Sequence, residues 1–307
     1  MTNPYQPRTV TDLTTDPPPP HLIHNVCRDS GTILLFGKTG IGKTRLLWQL
    51  ACGWAQGRET LGLRPARPLR ITYVEADLYR ADFEAVIKEM ADQGIQVPEP
   101  DRLTWFSRED ATPFFVDSIF GKALQAHNTA FQTDLTIYDA IPDLHLGDPI
   151  DTRTAYQILR ALHVSANGRA YLGVMVQRKG GKDAADRDSE NIDEMYGNQG
   201  WARQASTVWH MTNVPSLVWV KHRLCPQPQP IVLNMSHAGI FSVRSAQLQD
   251  LILREGKAGF TSVRELAERV QALPEYAAQT NPYKDRTLRS LITSMIQSDH
   301  LAVTPTP

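Results

Sequence analysis

The eight residues Gly37-Lys38-Thr39-Gly40-Ile41-Gly42-Lys43-Thr44 constrain this chain more than any other stretch. They fill every fixed position of G-x-x-x-x-G-K-[ST], and their flanks matter as much as the match. Ahead of them, Ile33 to Phe36 is an apolar run of strand length. Behind them, Leu46, Leu47, Leu50 and Ala51 fall at i, i+1, i+4 and i+5, an apolar stripe on a helix. Strand, glycine loop and helix together give the motif a mechanism. The glycines let backbone N–H groups turn inward around phosphate oxygens, and the new helix points its positive end at them. Lys43 is then placed for the β- and γ-phosphates, and Thr44 offers a hydroxyl to Mg²⁺. With Arg45 on the first helical turn, Gly37 to Arg45 is the expected seat of a nucleoside triphosphate.

Strand and helix patterns alternate around this motif. "RITYVEAD" precedes the helical "FEAVIKEMADQG", which stops at Gly94; "RLTWF" precedes "FGKALQAH"; "DLTIYDA" precedes "TAYQILRALHVSA"; then comes "RAYLGVMVQ". This repetition predicts an α/β fold with a mostly parallel sheet flanked by helices. From Ser206 the strands "STVWHM", "SLVWVKHRL" and "PIVLNM" follow one another without helices, so the sheet is expected to end in antiparallel hairpins. Residues 1–20, ending in four prolines, read as an extended and poorly ordered leader. Residues 21–243 form the core. Residues 244–307 read as a small α-rich unit of three helices and a short strand, the outline of a winged helix. A plain three-helix bundle for protein contacts fits that outline too.

Net charge is −1, from 32 basic and 33 acidic side chains, which excludes a surface coated in positive charge for wrapping DNA. It leaves room for a strand held by a few loops. No apolar run approaches the ~20 residues of a bilayer span. The N-terminus lacks a basic-then-apolar leader, so a cytoplasmic location without membrane contact is expected. Cys27, Cys52 and Cys225 are scattered, without metal spacing, and read as buried free thiols.

Three further groups complete a phosphate site. Asp139 ends the apolar strand "LTIYD", where a carboxylate holds Mg²⁺ through water. Glu75 and Asp77 end "YVEAD" two residues apart, on one face of a strand if the alternation holds, and either one can face the γ-phosphate. A solvated pair at a strand end is the alternative. Gln177 ends "GVMVQ", where a neutral amide can sense that phosphate. The polar segment 178–200 is long for a loop inside a compact domain. Its Arg178, Lys179, Lys182 and Arg187 suit a strand of nucleic acid. Asp143, Asp148 and Asp151 read as solvated surface.

The order of these motifs resembles the RecA-like P-loop ATPases. "YVEAD" is similar to that family's Phe-Ile-Asp-Ala-Glu with the acids exchanged, which sets Asp77 at the family's catalytic glutamate and Glu75 beside it. The closer resemblance is to the hexameric helicase branch, the DnaB-like and plasmid RepA-like ATPases. "VWVKHR" resembles that branch's Lys-x-Arg strand. The resemblance implies ATP with Mg²⁺. It also implies Lys221 and Arg223 crossing to a neighbouring subunit's γ-phosphate, Arg223 as the arginine finger, and Arg203 contacting the neighbour. Without it, Lys221 and Arg223 read equally as an exposed basic edge strand.

Three functions follow. The first is a hexameric ATPase that threads single-stranded DNA and separates duplexes. The second is a recombinase-like or strand-annealing filament. The third is an ATP-gated switch whose C-terminal unit binds a protein or duplex DNA, with Lys284, Arg286 and Arg289 as its basic face.

Overall fold

The computed structural model describes residues 20–107, 109–110, 119–145, 151–176, 199–213, 215–223, 228–243, 252–253, 255–257, 259–272, 285–297 and 301. Eleven strands occur among them. A short hairpin of β1 (His21–Ile23) and β2 (Cys27–Arg28) opens the chain. The P-loop strand β3 (Thr32–Gly37) leads into helix α1 (Lys43–Ala55). Next come β4 (Ile71–Glu75), α2 (Arg80–Asp92), β5 (Leu103–Phe106), α3 (Ile119–Phe131), β6 (Leu135–Asp139), α4 (Thr152–Ser165) and β7 (Ala170–Val176). A short helix α5 (Gln199–Gln204) precedes β8 (Thr207–Met211), β9 (Ser216–His222), β10 (Ile231–Met235) and β11 (Phe241–Val243).

Nine of these strands form one sheet in the order β11-β10-β9-β8-β3-β7-β6-β4-β5. The six from β8 to β5 are parallel, as the strand–helix alternation implies, and β9, β10 and β11 continue antiparallel. The antiparallel end was expected; β8 itself pairs in parallel with β3 before the hairpins begin. β3 is covered on both faces, which is why its sequence is apolar without alternation. Ile33 and Leu35 join a core with α1 and α2, whereas Leu34 and Phe36 join one with α3, α4 and α5. On the first face Trp48, Tyr73, Phe83 and Trp105 pack edge and face at ring separations of 5.2–5.5 Å. These contacts seat α1 and α2 against β4 and fix the direction in which the glycine loop opens.

The last strand is tied to the P-loop helix. Gln49, buried on α1, donates from Nε2 to the Phe241 carbonyl (2.7 Å) and accepts the Phe241 N–H at Oε1 (2.9 Å). A Cβ on Gly42 would stand 3.0 Å from the Phe241 ring, and that residue has φ +93°, so both space and backbone favour glycine there. Cys27 and Cys52 are buried free thiols with pKa values pushed up to about 12 by burial; Cys225 lies outside the described residues.

Near the C-terminus, α6 (Val263–Gln271) starts at Ser262, whose hydroxyl accepts the Glu265 N–H (3.2 Å), while Glu265 reaches back to the Thr261 N–H (2.7 Å). It shares a separate core with α7 (Asp285–Gln297), built on Leu266, Val270, Leu288 and Ile292. The expected strand "LAVTP" falls outside the described residues beyond Leu301, as does Lys284. No helix among the described residues is long and apolar enough to cross a membrane.

Candidate active site

Parallel strands deliver their C-terminal ends to one edge of the sheet, and there the expected residues meet. Register pairs Glu75 with Asp139 and Gly37 with Val176. A cleft of about 330 Å³ opens at this edge; Thr39, Gly40, Gly42, Lys43, Thr44 and Arg45 line one side. Asp77, Asp139 and the apolar Leu78, Val86, Val174 and Val176 line the rest. Lys43 Nζ donates to the carbonyls of Gly37 (3.1 Å) and Lys38 (2.8 Å), folded over its own loop. Burial lowers its pKa, opposed by the charges of Asp139 and Asp77.

Arg45 lines the cleft but spends its guanidinium elsewhere. It donates to the Ala238 carbonyl (2.7 Å) and pairs with Glu89 on α2. Lys43 is therefore the cation left for phosphate. Asp139 is buried, and burial raises its pKa; hydrogen bonds from Tyr73 and Thr44 and the charge of Lys43 pull it back down. The Tyr73 hydroxyl donates to Asp139 Oδ2 at 2.8 Å.

Glu75 and Asp77 differ in burial. β4 ends at Glu75, and Asp77 lies just beyond it. Glu75 is buried, and its Oε1 accepts the N–H groups of Asp77 (3.0 Å) and Leu78 (2.8 Å), turning the chain so that Asp77 is exposed in the cleft. Glu75 Oε2 is buried and has no hydrogen-bond partner among the described residues. Burial and the facing Asp139 push the Glu75 pKa up to about 9, so this carboxyl keeps its proton at neutral pH.

That proton has a thermodynamic signature. The unfolded chain sheds it near the ordinary value of 4.5, whereas the folded chain holds it to about 9, so rising pH between those values destabilises the fold. Glu75→Gln removes the ionisation. Its melting midpoint is expected to exceed that of the wild type by a margin that widens between about pH 5 and about pH 9. Thermal melting at three pH values checks this; a margin that stays flat or narrows contradicts the assignment.

The cleft fits a magnesium-bound triphosphate on its own chemistry. It offers one cation, Lys43, whose hydrogen bonds among the described residues go to its own loop's carbonyls, a left-handed glycine loop at the helix start, and the Thr44 hydroxyl beside the Asp139 carboxylate. Among the described residues no cluster of three or more His, Cys, Asp or Glu side chains could hold a metal alone. Mg²⁺ ordinarily takes one or two carboxylates and completes its shell with water and phosphate oxygens, so this sparse donor set suits it.

Lys221 and Arg223 stand elsewhere. β9 runs antiparallel to β8, so its end lies beside the start of β8 and hence of β3. The Arg223 N–H bonds the Ser206 carbonyl and the Ser206 N–H bonds the Thr32 carbonyl, five residues before Gly37. At ~3.3 Å per residue that is about 16 Å from the glycine loop, on the opposite edge of the sheet. Lys221 Nζ donates to the carbonyls of Ala202 and Arg203, and Arg223 also donates to Arg203, so both cap the C-terminus of α5. Burial and Arg223 lower the Lys221 pKa to about 8. Gln177, Arg178, Lys179, Lys182 and Arg187 lie outside the described residues, as does Asp148. Asp151 is the N-cap of α4, accepting the N–H groups of Arg153 (3.2 Å) and Thr154 (3.0 Å).

Residues 4–176 match the AAA domain family. No curated protein matches the chain. Among solved structures, the ATPase domain of G40P aligns with a TM-score of 0.51 at 11% identity, over 71% of this chain and 86% of that one. The KaiC-like protein PH0186 from Pyrococcus horikoshii OT3 aligns over 73% and 94% at 16% identity, with a TM-score of 0.48. The flagellar accessory protein FlaH from Methanocaldococcus jannaschii aligns over 70% and 90% at 14% identity, with a TM-score of 0.45. With more than half of its length inside the family match and its sheet arranged like that of the G40P domain, the chain belongs to the AAA domain family and is a RecA-like P-loop ATPase.

Proposed function

We propose that the chain is an ATP-driven motor of the ring-forming helicase kind, a homo-oligomer, hexameric by resemblance, acting on single-stranded DNA. One observation supports this reading above the others. Arg223 stands about 16 Å along the strands from its own glycine loop, at the far edge of the sheet and beyond the reach of an arginine side chain, and Lys221, level with Leu34, stands about 10 Å along them. If they serve a γ-phosphate, it is the γ-phosphate of a second copy, and nucleotide then sits between subunits.

ATP and Mg²⁺, when bound, supply the scissile phosphoanhydride and neutralise charge building on its oxygens. Lys43 leaves the carbonyls of Gly37 and Lys38 for the phosphates, and Thr44 with Asp139 holds the ion. Asp77, exposed in the cleft, aligns water and takes its proton. Glu75 is a positioning residue that sets Asp77 through two backbone hydrogen bonds. Arg223 and Lys221 of a neighbour complete the site, and Arg203 contacts the adjoining subunit. Gln177 senses the γ-phosphate, and Arg178, Lys179, Lys182 and Arg187 contact the DNA backbone. The helices from residue 252 onward are a separate winged-helix-like unit for a protein or duplex partner.

Arg223→Ala is expected to remove turnover in the assembled protein, by about 10³-fold on the scale of arginine fingers, while a fluorescent ATP analogue still binds. Turnover near the wild-type rate sinks the trans assignment. Negative-stain electron microscopy with a non-hydrolysable analogue and single-stranded DNA tests the assembly itself. Closed rings support the motor, extended filaments replace it with a recombinase-like protein, and dispersed monomers replace it with a switch.

A further inference from the structure

The edge of the sheet opposite the P-loop carries a second charged cleft, of about 490 Å³. Its walls come from a row of residues that each stand one position before a strand. Arg169 precedes β7, Asp134 precedes β6, Arg70 precedes β4 and Arg102 precedes β5. Those four strands are neighbours in the sheet, so the four side chains fall in line at ~4.8 Å intervals, a row about 14 Å long. Arg67 adds a fourth guanidinium.

Four guanidiniums face one carboxylate, and that carboxylate is already committed. Asp134 accepts both arms of Arg67 at 2.7 Å and the Arg70 N–H at 2.9 Å, and these bonds hold its pKa low against burial. Among the described residues the Arg70 side chain donates only to the neutral amide of Gln132. Arg102 stands 3.8 Å from Asp101, which does not line the cleft. Arg169 makes no side-chain hydrogen bond or ion pair among the described residues. Among the described residues Arg70, Arg102 and Arg169 thus make no side-chain ion pair with the cleft's carboxylate, although the charge of Arg169 helps hold the Asp134 pKa low.

The floor is built in advance. Asn128 and Thr133 are buried; Thr133 Oγ1 donates to Asn128 Oδ1 (2.8 Å), and Asn128 Nδ2 donates to the Ser165 carbonyl (2.7 Å). Thr133 and Thr72 hydroxyls meet at 2.9 Å. These bonds fix the floor before any ligand arrives. Among the described residues no aromatic side chain lines the cleft, so they offer no platform for a base or an apolar body. A planar fork on each guanidinium matches a pair of phosphate oxygens.

From this geometry we infer a second ligand site at the strand-entry edge, taking phosphate groups through Arg70, Arg102 and Arg169. It recognises phosphate, not base, and its length spans more than one phosphate. The phosphates come from a nucleic-acid backbone or from a free phosphorylated small molecule. The inference does not depend on the motor reading.

The test uses the full chain with its P-loop saturated by a non-hydrolysable ATP analogue and Mg²⁺. Calorimetric titration with inorganic pyrophosphate is expected to show one remaining site. In the Arg102→Ala/Arg169→Ala variant that affinity falls at least about tenfold, since two charge-assisted contacts are gone. Oligothymidylate binding is followed by anisotropy between about 50 and about 200 mM salt. A salt slope shallower by about 1.4 in the variant assigns the site to the nucleic-acid backbone, at roughly 0.7 per phosphate contact. An unchanged slope with weakened pyrophosphate assigns it to a small molecule. No pyrophosphate bound by the saturated wild type, or equal affinity in both proteins, overturns the inference. Melting curves report folding; if the double variant does not fold, the exposed single change Arg169→Glu carries the same comparison.

Discussion

Lys43→Ala lowers ATP turnover by about 10²–10³-fold, the scale of losing one preorganised electrostatic partner of a transition state. The size of the effect follows from what else lines the cleft. Arg45 is the other cation there, and it is held by Glu89 and the Ala238 carbonyl, away from phosphate. Alanine at 43 therefore leaves the β- and γ-phosphates facing Asp77 and Asp139 with no cationic side chain of the same subunit turned toward them. Nucleotide affinity falls as well, by about 10–100-fold, because a charge-assisted contact contributes roughly 1.5–3 kcal/mol. Phosphate release measures the first effect and a fluorescent analogue the second. Turnover within about threefold of the wild type would remove Lys43 from the mechanism.

Asp77→Asn gives the second large loss, about 10²–10⁴-fold in kcat, with nucleotide binding retained. An asparagine keeps the shape and the hydrogen bonds that the N–H groups of residues 77 and 78 donate to Glu75, and removes only the proton acceptor. Asp77→Glu is expected to recover most of the activity, since it extends the carboxylate by one methylene to the length that RecA-like patterns carry here. If Asp77→Asn retains wild-type kcat, the exposed carboxylate is a bystander and Glu75 becomes the candidate base.

What could be read in advance was whatever is encoded locally. The glycine loop needs a strand on one side and a helix on the other, and all three lie within Thr32 to Ala51. Asp139 announces itself by ending an apolar run. The burial of Glu75 was not legible, because the turn that follows β4 is made by the Glu75 side chain itself. A signal at Asp151 went unread. An aspartate followed by Thr-Arg-Thr ahead of a helical pattern is an N-cap, and the structure uses it as one.

Other features depend on partners far apart in sequence. Tyr73 reaches Asp139 across 66 residues, and only its presence in a buried strand hints that the hydroxyl needs an acceptor. The opposite-edge positions of Lys221 and Arg223 follow from strand order and register, which no single segment contains. The arginine row is of the same kind. Each member is an ordinary polar residue before a strand, and the row exists only once β7, β6, β4 and β5 lie side by side.

The clasp between Gln49 and Phe241 has a mechanical consequence. A side-chain amide here plays the part of a neighbouring strand, so the final ribbon of the sheet is spliced to the helix that begins at the glycine loop. The splice lies two turns along that helix from Lys43, and the chain leaves the sheet two residues after Phe241. Any tilt of that helix would therefore be passed to the last strand of the sheet, as a tiller passes a small turn of the hand to the rudder.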